Sequence, residues 1–413
     1  MTAGAVHIVG AGLAGLSAAT ALVARGRKVV LYEAARMAGG RCRSYVDPQL
    51  NITLDNGNHL LLSGNKSAYA YLDRIGARDA LTGPEECLFD FCDLRDGARW
   101  RMAPNKGRAP WWLLSKRRRT PGAGLFDYLA AARLLTAPRG AVVQDVLSDA
   151  SPLWEKLWRP ALVSALNTQP NEASAHLAAA VLRESFGAGG AASLPRVPRE
   201  SLASAFVEPA ISYLAARGAQ LRFGARLRGL SFSGDRVNAL RFGEEEIALK
   251  PEDAVIFAAP AWSAAEIMPQ ISVPTEHRGI LNAHFAQKPP QRAPMITCTI
   301  GGLSEWVFAL HDRLSVTISA ADALIDENPA TLAPTIWREV ARAMNLGPAP
   351  MPPARIVKEK RATFAATPAQ DALRPPPLTP WRNLKLAGDW TQTGLPATME
   401  GAIRSGERAA ALA

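Results

Sequence analysis

The sequence predicts an α/β fold, with a parallel βαβ unit at its start and a discontinuous mixed α+β domain after it. The apolar run Val6–Val9 breaks into a glycine-rich turn, and a second apolar run follows at residues 29–32. Between them, Leu16, Ala19 and Leu22 recur at helical spacing. The chain has 413 residues, more than the roughly 250–300 at which one core stops growing, so we expect at least two domains.

The turn carries the G-x-G-x-x-G spacing of dinucleotide-binding folds at Gly10, Gly12 and Gly15. The first glycine permits a tight turn, the second lets the backbone approach a pyrophosphate, and the third packs the helix against the strand. Leu13 and Ala14 open the helix, whose free N–H groups and positive dipole end would face the phosphates. The sequence therefore predicts a bound dinucleotide.

An acidic residue closes the second strand. Glu33 lies 33 − 10 = 23 positions after Gly10, near the ~20 expected for the acid that binds a ribose hydroxyl. A carboxylate here favours a free 2′-hydroxyl and repels a 2′-phosphate. Ala34 then leads into the segment that should decide which nucleotide binds.

The composition is that of an ordinary globular protein, with 48% hydrophobic and 20% charged residues. No C-x-x-C pair and no histidine at metal-ligand spacing accompanies the four cysteines, so we expect neither a metal site nor a disulfide framework. A reduced, cytoplasmic setting fits best. The apolar start lacks the basic region and cleavage site of a signal peptide, and no run approaches ~18 apolar residues, so we expect no spanning helix.

The net charge of +10 arises largely from one segment, residues 99–119. No acidic residue lies between Asp96 and Asp127, while eight Lys and Arg residues do. This concentration argues against a nucleic-acid partner. Trp100, Trp111 and Trp112 lie among those charges, a composition typical of a segment at an anionic membrane surface. A solvated basic loop with tryptophans in the core beneath it is the alternative.

Residues 66–200 show mainly helical periodicity, and later residues mainly strand patterns. Helices are predicted at residues 69–75, 125–135, 142–147, 153–166, 173–186, 206–214 and 331–344. Strands are predicted at residues 220–223, 227–232, 237–242, 253–260, 295–300, 306–309 and 314–318. One apolar stripe at i, i+4 spacing either packs in the core or lines a tunnel for a lipid substrate; it comprises Trp154, Trp158, Leu162 and Leu166.

Three segments resemble the FAD-binding motifs of the amine oxidase and phytoene desaturase superfamily. They are Gly39-Gly40-Arg41, the DNGNH sequence at residues 55–59, and AGDWTQTGLPATMEGAIRSG at residues 387–406. The resemblance implies a Rossmann-type FAD-binding domain of the GR2-like fold. It divides the chain into FAD-binding parts at residues 1–65, 201–275 and 366–413, a helical substrate and membrane-contact part at 66–200, and a substrate-domain sheet at 276–365.

The resemblance also implies which residues hold the cofactor. In this superfamily the GGR segment lies along the FAD diphosphate, the DNGNH-like element leads toward the isoalloxazine, and the closing motif offers Asp389 to a ribityl hydroxyl. The expected cofactor-binding residues are Gly10, Gly12, Leu13, Ala14, Gly15, Glu33, Ala34, Gly39, Gly40, Arg41, Asn56, Gly57, Asn58, Leu227, Ala259, Gly388, Asp389, Pro396, Ala397, Thr398, Met399 and Ala402. No covalent attachment signature is present, so we expect dissociable FAD.

Within that superfamily the sequence resembles the hydroxysqualene dehydroxylases of bacterial hopanoid pathways. The matching segments are residues 38–48, 55–65, 89–112, 152–168, 314–322, 357–371 and 387–406. This resemblance implies reduction of hydroxysqualene to squalene, with the hydroxyl lost as water and a hydride delivered from reduced flavin N5. It also implies a long apolar tunnel, peripheral contact with the inner face of the cell membrane through residues 99–119, and coupling to upstream enzymes of the pathway.

The leaving hydroxyl must be protonated, and Asp55, His59 and His284 are the candidate donors. We favour His59, with Asp55 beside it, although water could supply the proton and His59 could be structural. The alternative functions are a carotenoid-type desaturase, an amine oxidase and a non-catalytic FAD-binding or lipid-carrier protein. An amine oxidase should show an aromatic pair near the C-terminal motif, where only Trp390 occurs.

Overall fold

The computed structural model describes residues 4–413. In chain order its strands are β1 (Val6–Val9), β2 (Val29–Glu33), β3 (Ser44–Asp47), β4 (Ile52–Asp55), β5 (Leu61–Leu62), β6 (Leu81–Thr82), β7 (Phe89–Asp93), β8 (Arg99–Met102), β9 (Pro195–Pro198), β10 (Gln220–Phe223), β11 (Gly229–Ser233), β12 (Arg236–Phe242), β13 (Glu245–Ala248), β14 (Ala254–Phe257), β15 (His277–Phe285), β16 (Ile296–Ile300), β17 (Trp306–Ala309), β18 (Leu314–Ile318), β19 (Ala354–Phe364) and β20 (Leu384–Leu386). Its α-helices are α1 (Leu13–Val23), α2 (Lys66–Arg74), α3 (Leu125–Leu129), α4 (Val143–Val146), α5 (Arg159–Leu166), α6 (Ala175–Glu184), α7 (Glu208–Ala215), α8 (Ala261–Ile267), α9 (Pro329–Ala343), α10 (Pro368–Ala372) and α11 (Met399–Leu412).

A five-stranded parallel sheet contains the predicted βαβ unit. Its order is β10-β2-β1-β14-β20, so β1 lies at the centre and pairs with β2 on one side and β14 on the other. Helices α1, α7 and α11 share one hydrophobic core with this sheet. On its opposite face, Tyr32 of β2 stacks on Phe242 of β12, at 4.6 Å between ring centroids. The predicted α/β class is therefore confirmed.

A second, seven-stranded sheet runs in the order β19-β15-β18-β17-β16-β7-β8. Side chains alternate across it because successive residues of a strand point to opposite faces. Leu281, Val307 and Val316 pack outward in the core that includes helix α9. Asn282, Phe308 and Thr317, each next to one of those residues in sequence, line a cavity on the inner face.

The prediction of a mainly helical segment at residues 66–200 misses four strands, β6, β7, β8 and β9. β7 and β8 form a hairpin, and β7 pairs in parallel with β16, so residues 89–102 belong to the seven-stranded sheet. The two longest strands of that sheet, β15 and β19, were also not predicted. These strands depend on partners far along the chain, which local periodicity does not reveal. The five-segment division of the chain stays a prediction.

The apolar stripe forms one turn of π-helix at Trp154–Trp158 that continues into α5. Its four side chains are buried in the largest hydrophobic core, and Trp158 and Leu162 also line the cavity. The predicted helix at residues 125–135 divides into α3 and a 3₁₀ segment at Ala130–Thr136. Within residues 4–413, no helix combines the length and apolar character needed to cross a membrane.

Candidate active site

One cavity of about 860 Å³ joins the two sheets. At one end it reaches the carboxyl ends of β1 and β2 and the turn after β1. At the other it reaches the inner face of the seven-stranded sheet and helix α5. Ligand sites in parallel α/β sheets lie outside the carboxyl ends of the strands, and this cavity has that position.

The glycines of the first turn shape a phosphate cradle. Gly10 has a φ of 106°, in the left-handed region. A Cβ added to Gly15 would lie 1.8 Å from the Gly10 carbonyl oxygen, so α1 packs directly on the turn. A Cβ added to Gly12 would meet no atom within 4 Å, so Gly12 leaves open space where a phosphate group fits. No side chain caps the start of α1, whose first N–H groups can therefore bind that phosphate.

Both oxygens of Glu33 are fixed by backbone N–H groups. Oε2 accepts from Ala11 at 2.7 Å and Oε1 accepts from Ala35 at 2.8 Å. Each carboxylate oxygen can accept a further hydrogen bond, and Glu33 lines the cavity. Glu33 is therefore placed to accept from the hydroxyls of a ribose, and the residues of this end fit the adenosine diphosphate part of FAD.

The two ends of the chain meet beside the cavity. Arg41 donates to Asp389 Oδ1 at 2.6 Å and to the Ala362 carbonyl at 2.6 Å. Gly388 has a φ of 144°, and a Cβ there would lie 2.3 Å from Nε1 of Trp390, which donates to the Ala259 carbonyl. The GGR segment and the closing motif, predicted separately, are thus joined by one ion pair.

The structure gathers most of the predicted cofactor-binding residues around this cavity. Those that line it are Gly10, Gly12, Leu13, Ala14, Glu33, Ala34, Gly39, Gly40, Arg41, Asn56, Gly57, Asn58, Leu227, Ala259, Gly388, Asp389, Ala397, Thr398, Met399 and Ala402. Gly15 and Pro396 do not line it. Gly15 acts through packing, and the start of α11 is capped by Thr398, which accepts from the Gly401 N–H at 3.0 Å.

Asp55 lies at the end of β4 and is not among the residues that line the cavity. Its Oδ1 accepts from the Ser44 hydroxyl at 2.6 Å and from the Leu202 N–H at 2.8 Å. Burial raises the pKa of the Asp55 carboxyl, and these two hydrogen bonds oppose the rise. The arrangement gives Asp55 a structural place, in contrast to the expectation that it sits beside the reacting atoms.

His59 does line the cavity. Its Nδ1 lies 2.9 Å from the Gly57 carbonyl oxygen. A carbonyl only accepts, so Nδ1 carries the hydrogen and, in the neutral ring, Nε2 carries the lone pair. Burial lowers the pKa of His59, although the Gly57 carbonyl favours the charged form. Nε2 can donate only when the ring is protonated.

His284 is fully buried in β15 and does not line the cavity. Burial, together with the charge of Arg313, lowers its pKa to about 3, so it is neutral near pH 7. Its Nδ1 lies 2.7 Å from the Ser315 hydroxyl. Of the three candidate proton donors, only His59 therefore borders the space where a ligand can bind.

Several polar side chains of the cavity were missed by sequence reasoning. Asn282, Thr317 and Ser319 line it from β15 and from the end of β18. A signal was available, because an asparagine inside the apolar run of residues 280–285 is unusual for a buried strand. The cavity is also lined by apolar side chains, which include Phe89, Met102, Leu157, Trp158, Trp306 and Phe308.

Comparison with known proteins agrees with this geometry. The sequence model described as "Flavin containing amine oxidoreductase" matches residues 13–287 and 335–413. This chain belongs to that family. The family's cofactor is FAD, and the chain is an FAD-dependent oxidoreductase.

Three similar proteins that are about half identical to this chain over nearly its whole length carry one name. A protein of Rhodopseudomonas palustris named hydroxysqualene dehydroxylase is 50% identical over 408 residues, which are 98% of this chain and 97% of the relative. A protein of the same name from Zymomonas mobilis is 47% identical over 98% of both chains. The chain therefore falls among the hydroxysqualene dehydroxylases within the family.

The fold recurs in solved structures of distantly similar proteins. A putrescine oxidase variant superimposes with a TM-score of 0.73 at 16% identity, covering 99% of this chain and 98% of that one. At this identity the likeness shows the fold alone. It supports the predicted architecture of an FAD-binding parallel sheet joined to a mixed substrate sheet.

Proposed function

We propose that this chain removes the hydroxyl group of hydroxysqualene reductively, giving squalene and water. The observation that carries the proposal is the cavity, which runs from the turn after β1 to the seven-stranded sheet. There the aromatic side chains of Phe89, Trp306 and Phe308 and the polar side chains of Asn282 and Thr317 line it. Relatives of about half-identical sequence bear the name of this activity. An apolar polyene with one alcohol group matches both kinds of side chain.

The protein's own contribution is to position the substrate and to exclude water. Phe89, Trp158 and Phe308 line the cavity with apolar side chains and would pack against the hydrocarbon chain of the substrate. A carbocation formed when the hydroxyl leaves would be protected from water there. Reduced FAD supplies a hydride from N5.

His59 is the residue we propose as the proton donor to the leaving hydroxyl. It borders the cavity, and its ring is held by the Gly57 carbonyl so that Nε2 is the nitrogen free to donate. The protonated ring transfers its Nε2 proton to the hydroxyl oxygen as the carbon–oxygen bond breaks. Asp55, four positions before His59, is held by the Ser44 hydroxyl and the Leu202 N–H.

An anaerobic single-turnover experiment tests the reaction. The purified protein is photoreduced, hydroxysqualene is added in detergent, and flavin absorbance is followed while product is identified by mass spectrometry. We expect one squalene per flavin reoxidised. Persistent reduced flavin with hydroxysqualene, together with bleaching of the oxidised protein by a more saturated polyene, would replace the proposal with a desaturase. Flavin that responds to neither would indicate a binding protein.

We also propose that the protein contacts an anionic membrane, through the second half of the expected segment 99–119 and the residues that follow it. Trp100 and Trp112 are packed in the fold, and Arg101 of β8 pairs with Asp90 at 2.8 Å. The exposed apolar side chains lie further along, and five of them fall within 25 residues: Trp111 (70% exposed), Leu114 (70%), Phe126 (82%), Leu129 (48%) and Leu135 (50%).

Basic side chains surround these apolar groups in sequence. Lys116, Arg117 and Arg118 are exposed between Leu114 and Phe126. An anionic bilayer satisfies both, since its phosphates attract the cations and its interface accepts the aromatic rings. This combination favours a lipid surface over a protein partner.

Vesicle sedimentation tests the membrane contact. We expect binding to phosphatidylglycerol vesicles that weakens with salt, and little binding to phosphatidylcholine. Trp111→Ser combined with Phe126→Ser should reduce binding, while Trp262→Ser, at an exposed tryptophan elsewhere, should not. Binding that ignores both salt and these substitutions would refute the assignment.

A further inference from the structure

A continuous hydrogen-bond network crosses the inner face of the seven-stranded sheet. His284 Nδ1 lies 2.7 Å from Ser315 Oγ, which lies 2.9 Å from Asn58 Oδ1. Asn58 Nδ2 donates to Thr317 Oγ1 at 3.1 Å, and Thr317 Oγ1 donates to Asn282 Oδ1 at 2.9 Å. The network joins three elements, β15, β18 and the DNGNH segment.

One backbone hydrogen bond fixes the direction of the other hydrogen bonds in this network. The backbone N–H of Asn58 also reaches Asn282 Oδ1, at 3.2 Å, and a backbone N–H can only donate. The atom it reaches must therefore be the amide oxygen of Asn282. Thr317 therefore donates its hydroxyl hydrogen to Asn282 Oδ1 and accepts from Asn58 Nδ2, and Ser315 donates to Asn58 Oδ1. The neutral His284 ring donates its Nδ1 hydrogen to Ser315 Oγ.

This orientation leaves one donor at the end of the network. Asn282 is 1% exposed, and its Nδ2 has no hydrogen-bond partner among the described protein atoms. Leaving a buried amide N–H₂ unsatisfied costs free energy, so such a group calls for a ligand acceptor. Asn282 lines the cavity beside Thr317.

The neighbouring glycine keeps this donor uncovered. A Cβ at Gly57 would lie 3.2 Å from Asn282 Nδ2 and 3.7 Å from Cε1 of His59. The backbone of Gly57 does not have a positive φ, so conformation alone does not demand a glycine there. The absent side chain leaves space beside both the amide donor and the His59 ring.

We propose that Asn282 Nδ2 binds the alcohol oxygen of the substrate and so sets which carbon faces the reaction centre. The inference rests on the proposed function for the identity of the alcohol. The oxygen accepts from Asn282 while His59, on the other side of Gly57, delivers the proton. Asn58, Thr317, Ser315 and His284 hold the amide in this orientation through their hydrogen bonds.

Ligand binding to the oxidised holoenzyme tests this, because no turnover occurs without reduced flavin. The affinities of hydroxysqualene and of squalene, each in detergent, are measured by perturbation of flavin absorbance. We expect the wild type to prefer the alcohol by roughly ten-fold, the value of one hydrogen bond to an otherwise unsatisfied donor. Asn282→Ala should bind both compounds equally. Gly57→Ala, which covers Nδ2 with a methyl group and leaves the network intact, should do the same.

Thr297→Val is the matched control. Thr297 is also buried in this sheet and its Oγ1 also lacks a partner, but it is not one of the described residues that line the cavity. This variant should keep the ten-fold preference. If it loses the preference as well, the effect is a general loosening of the sheet and the proposal is wrong.

The remaining outcomes are distinct. A preference that survives in Asn282→Ala overturns the subsite, and a fall in FAD content with the preference intact assigns the amide to the cofactor instead. A wild type with no preference also overturns it. If the wild type prefers the alcohol but yields no squalene in single turnover, the proposed function is wrong, while Asn282 Nδ2 remains assigned as the donor that binds the alcohol. Binding of neither compound overturns both.

Discussion

The two sheets border the cavity in different ways. At the parallel sheet, the groups that face the cavity are mainly backbone: the N–H groups of α1 and the open space at Gly12. At the seven-stranded sheet, the cavity faces side chains, with Asn282, Thr317 and Phe308 on the inner surface. A backbone site depends on where side chains are absent, whereas a side-chain site depends on which ones are present.

The comparison explains the difference in sequence signal. A backbone cradle needs glycines at fixed spacing over a few residues, so it can be read locally. The wall of the seven-stranded sheet is assembled from strands between residues 89 and 364, and no spacing relates them. Four predictions test this contrast.

The largest effect is expected where the backbone packs on itself. Gly15→Ala places a methyl group 1.8 Å from the Gly10 carbonyl oxygen and should cost about 3–5 kcal/mol of folding free energy. Gly12→Ala adds the same group in open space, so it should fold normally and lose FAD. Thermal unfolding and visible flavin absorbance distinguish the two. Equal stability of the two variants would contradict the packing role of Gly15.

In the seven-stranded sheet, the next effect on stability is expected from the ionisation of one buried carboxyl group. Burial raises the pKa of Glu305 to about 7, although the Ser319 N–H donates to it at 2.7 Å. The folded protein then holds its proton more tightly than the unfolded chain, so stability falls as pH rises from about 4.5 to about 7. Glu305→Gln should be more stable than wild type at pH 8 by up to about 3 kcal/mol.

That advantage should vanish near pH 4, where the carboxyl is protonated in both states. Asp149→Asn removes an exposed carboxyl and serves as the control for net charge. Chemical denaturation at both pH values provides the measurement. An advantage that does not change with pH would show that Glu305 acts through shape.

The next largest effect is expected for the transfer of a proton from His59 to the leaving hydroxyl. Because burial lowers the pKa of His59, the protonated ring becomes scarcer as pH rises, so single-turnover reoxidation should fall by up to about ten-fold per pH unit above that pKa. His59→Gln should lower the rate by about 100-fold and abolish the slope. His311→Gln, at an exposed histidine, should change neither. A slope that persists in His59→Gln would assign the proton to water.

The smallest effect should come from the ribose. Glu33→Ala should weaken FAD retention by about 1–2 kcal/mol through loss of a charge-assisted hydrogen bond. Glu33→Gln keeps an oxygen for the Ala11 or Ala35 N–H and should lose less. Flavin content after dialysis measures both. Unchanged content in Glu33→Ala would remove the ribose role.

Much of the parallel sheet was predictable from the sequence. Its first strand, helix and second strand have local periodicity, and Gly10 and Glu33 stand at positions set by the ligand's dimensions. The ion pair of Arg41 with Asp389 was not predicted, although both residues were, because an interaction across 348 positions leaves no local pattern.

The active-site wall was predicted less well. Asp55 and His59 are four positions apart, yet the backbone turns between them, so one packs against Leu202 and the other borders the cavity. The role of Asn282 depends on Asn58, 224 positions away, which fixes the orientation of its amide. The sequence left open whether Trp100 faces a membrane or the core, and the structure stacks its ring on Phe91 at 5.3 Å. In each case a distant partner decides the outcome.

The position of β1 at the centre of its sheet has a consequence for synthesis. Its neighbours include β14, and β20 and α11 complete the same layer from residues beyond 380. A growing polypeptide emerges from the ribosome N-terminus first. The phosphate-binding turn therefore leaves the exit tunnel early, together with β2, and waits for more than half of translation before β14 arrives on its other side. Because Asp389 and Thr398 also line the cavity, the flavin site is completed only when the C-terminal residues have been made, and we expect an interrupted chain to retain no flavin.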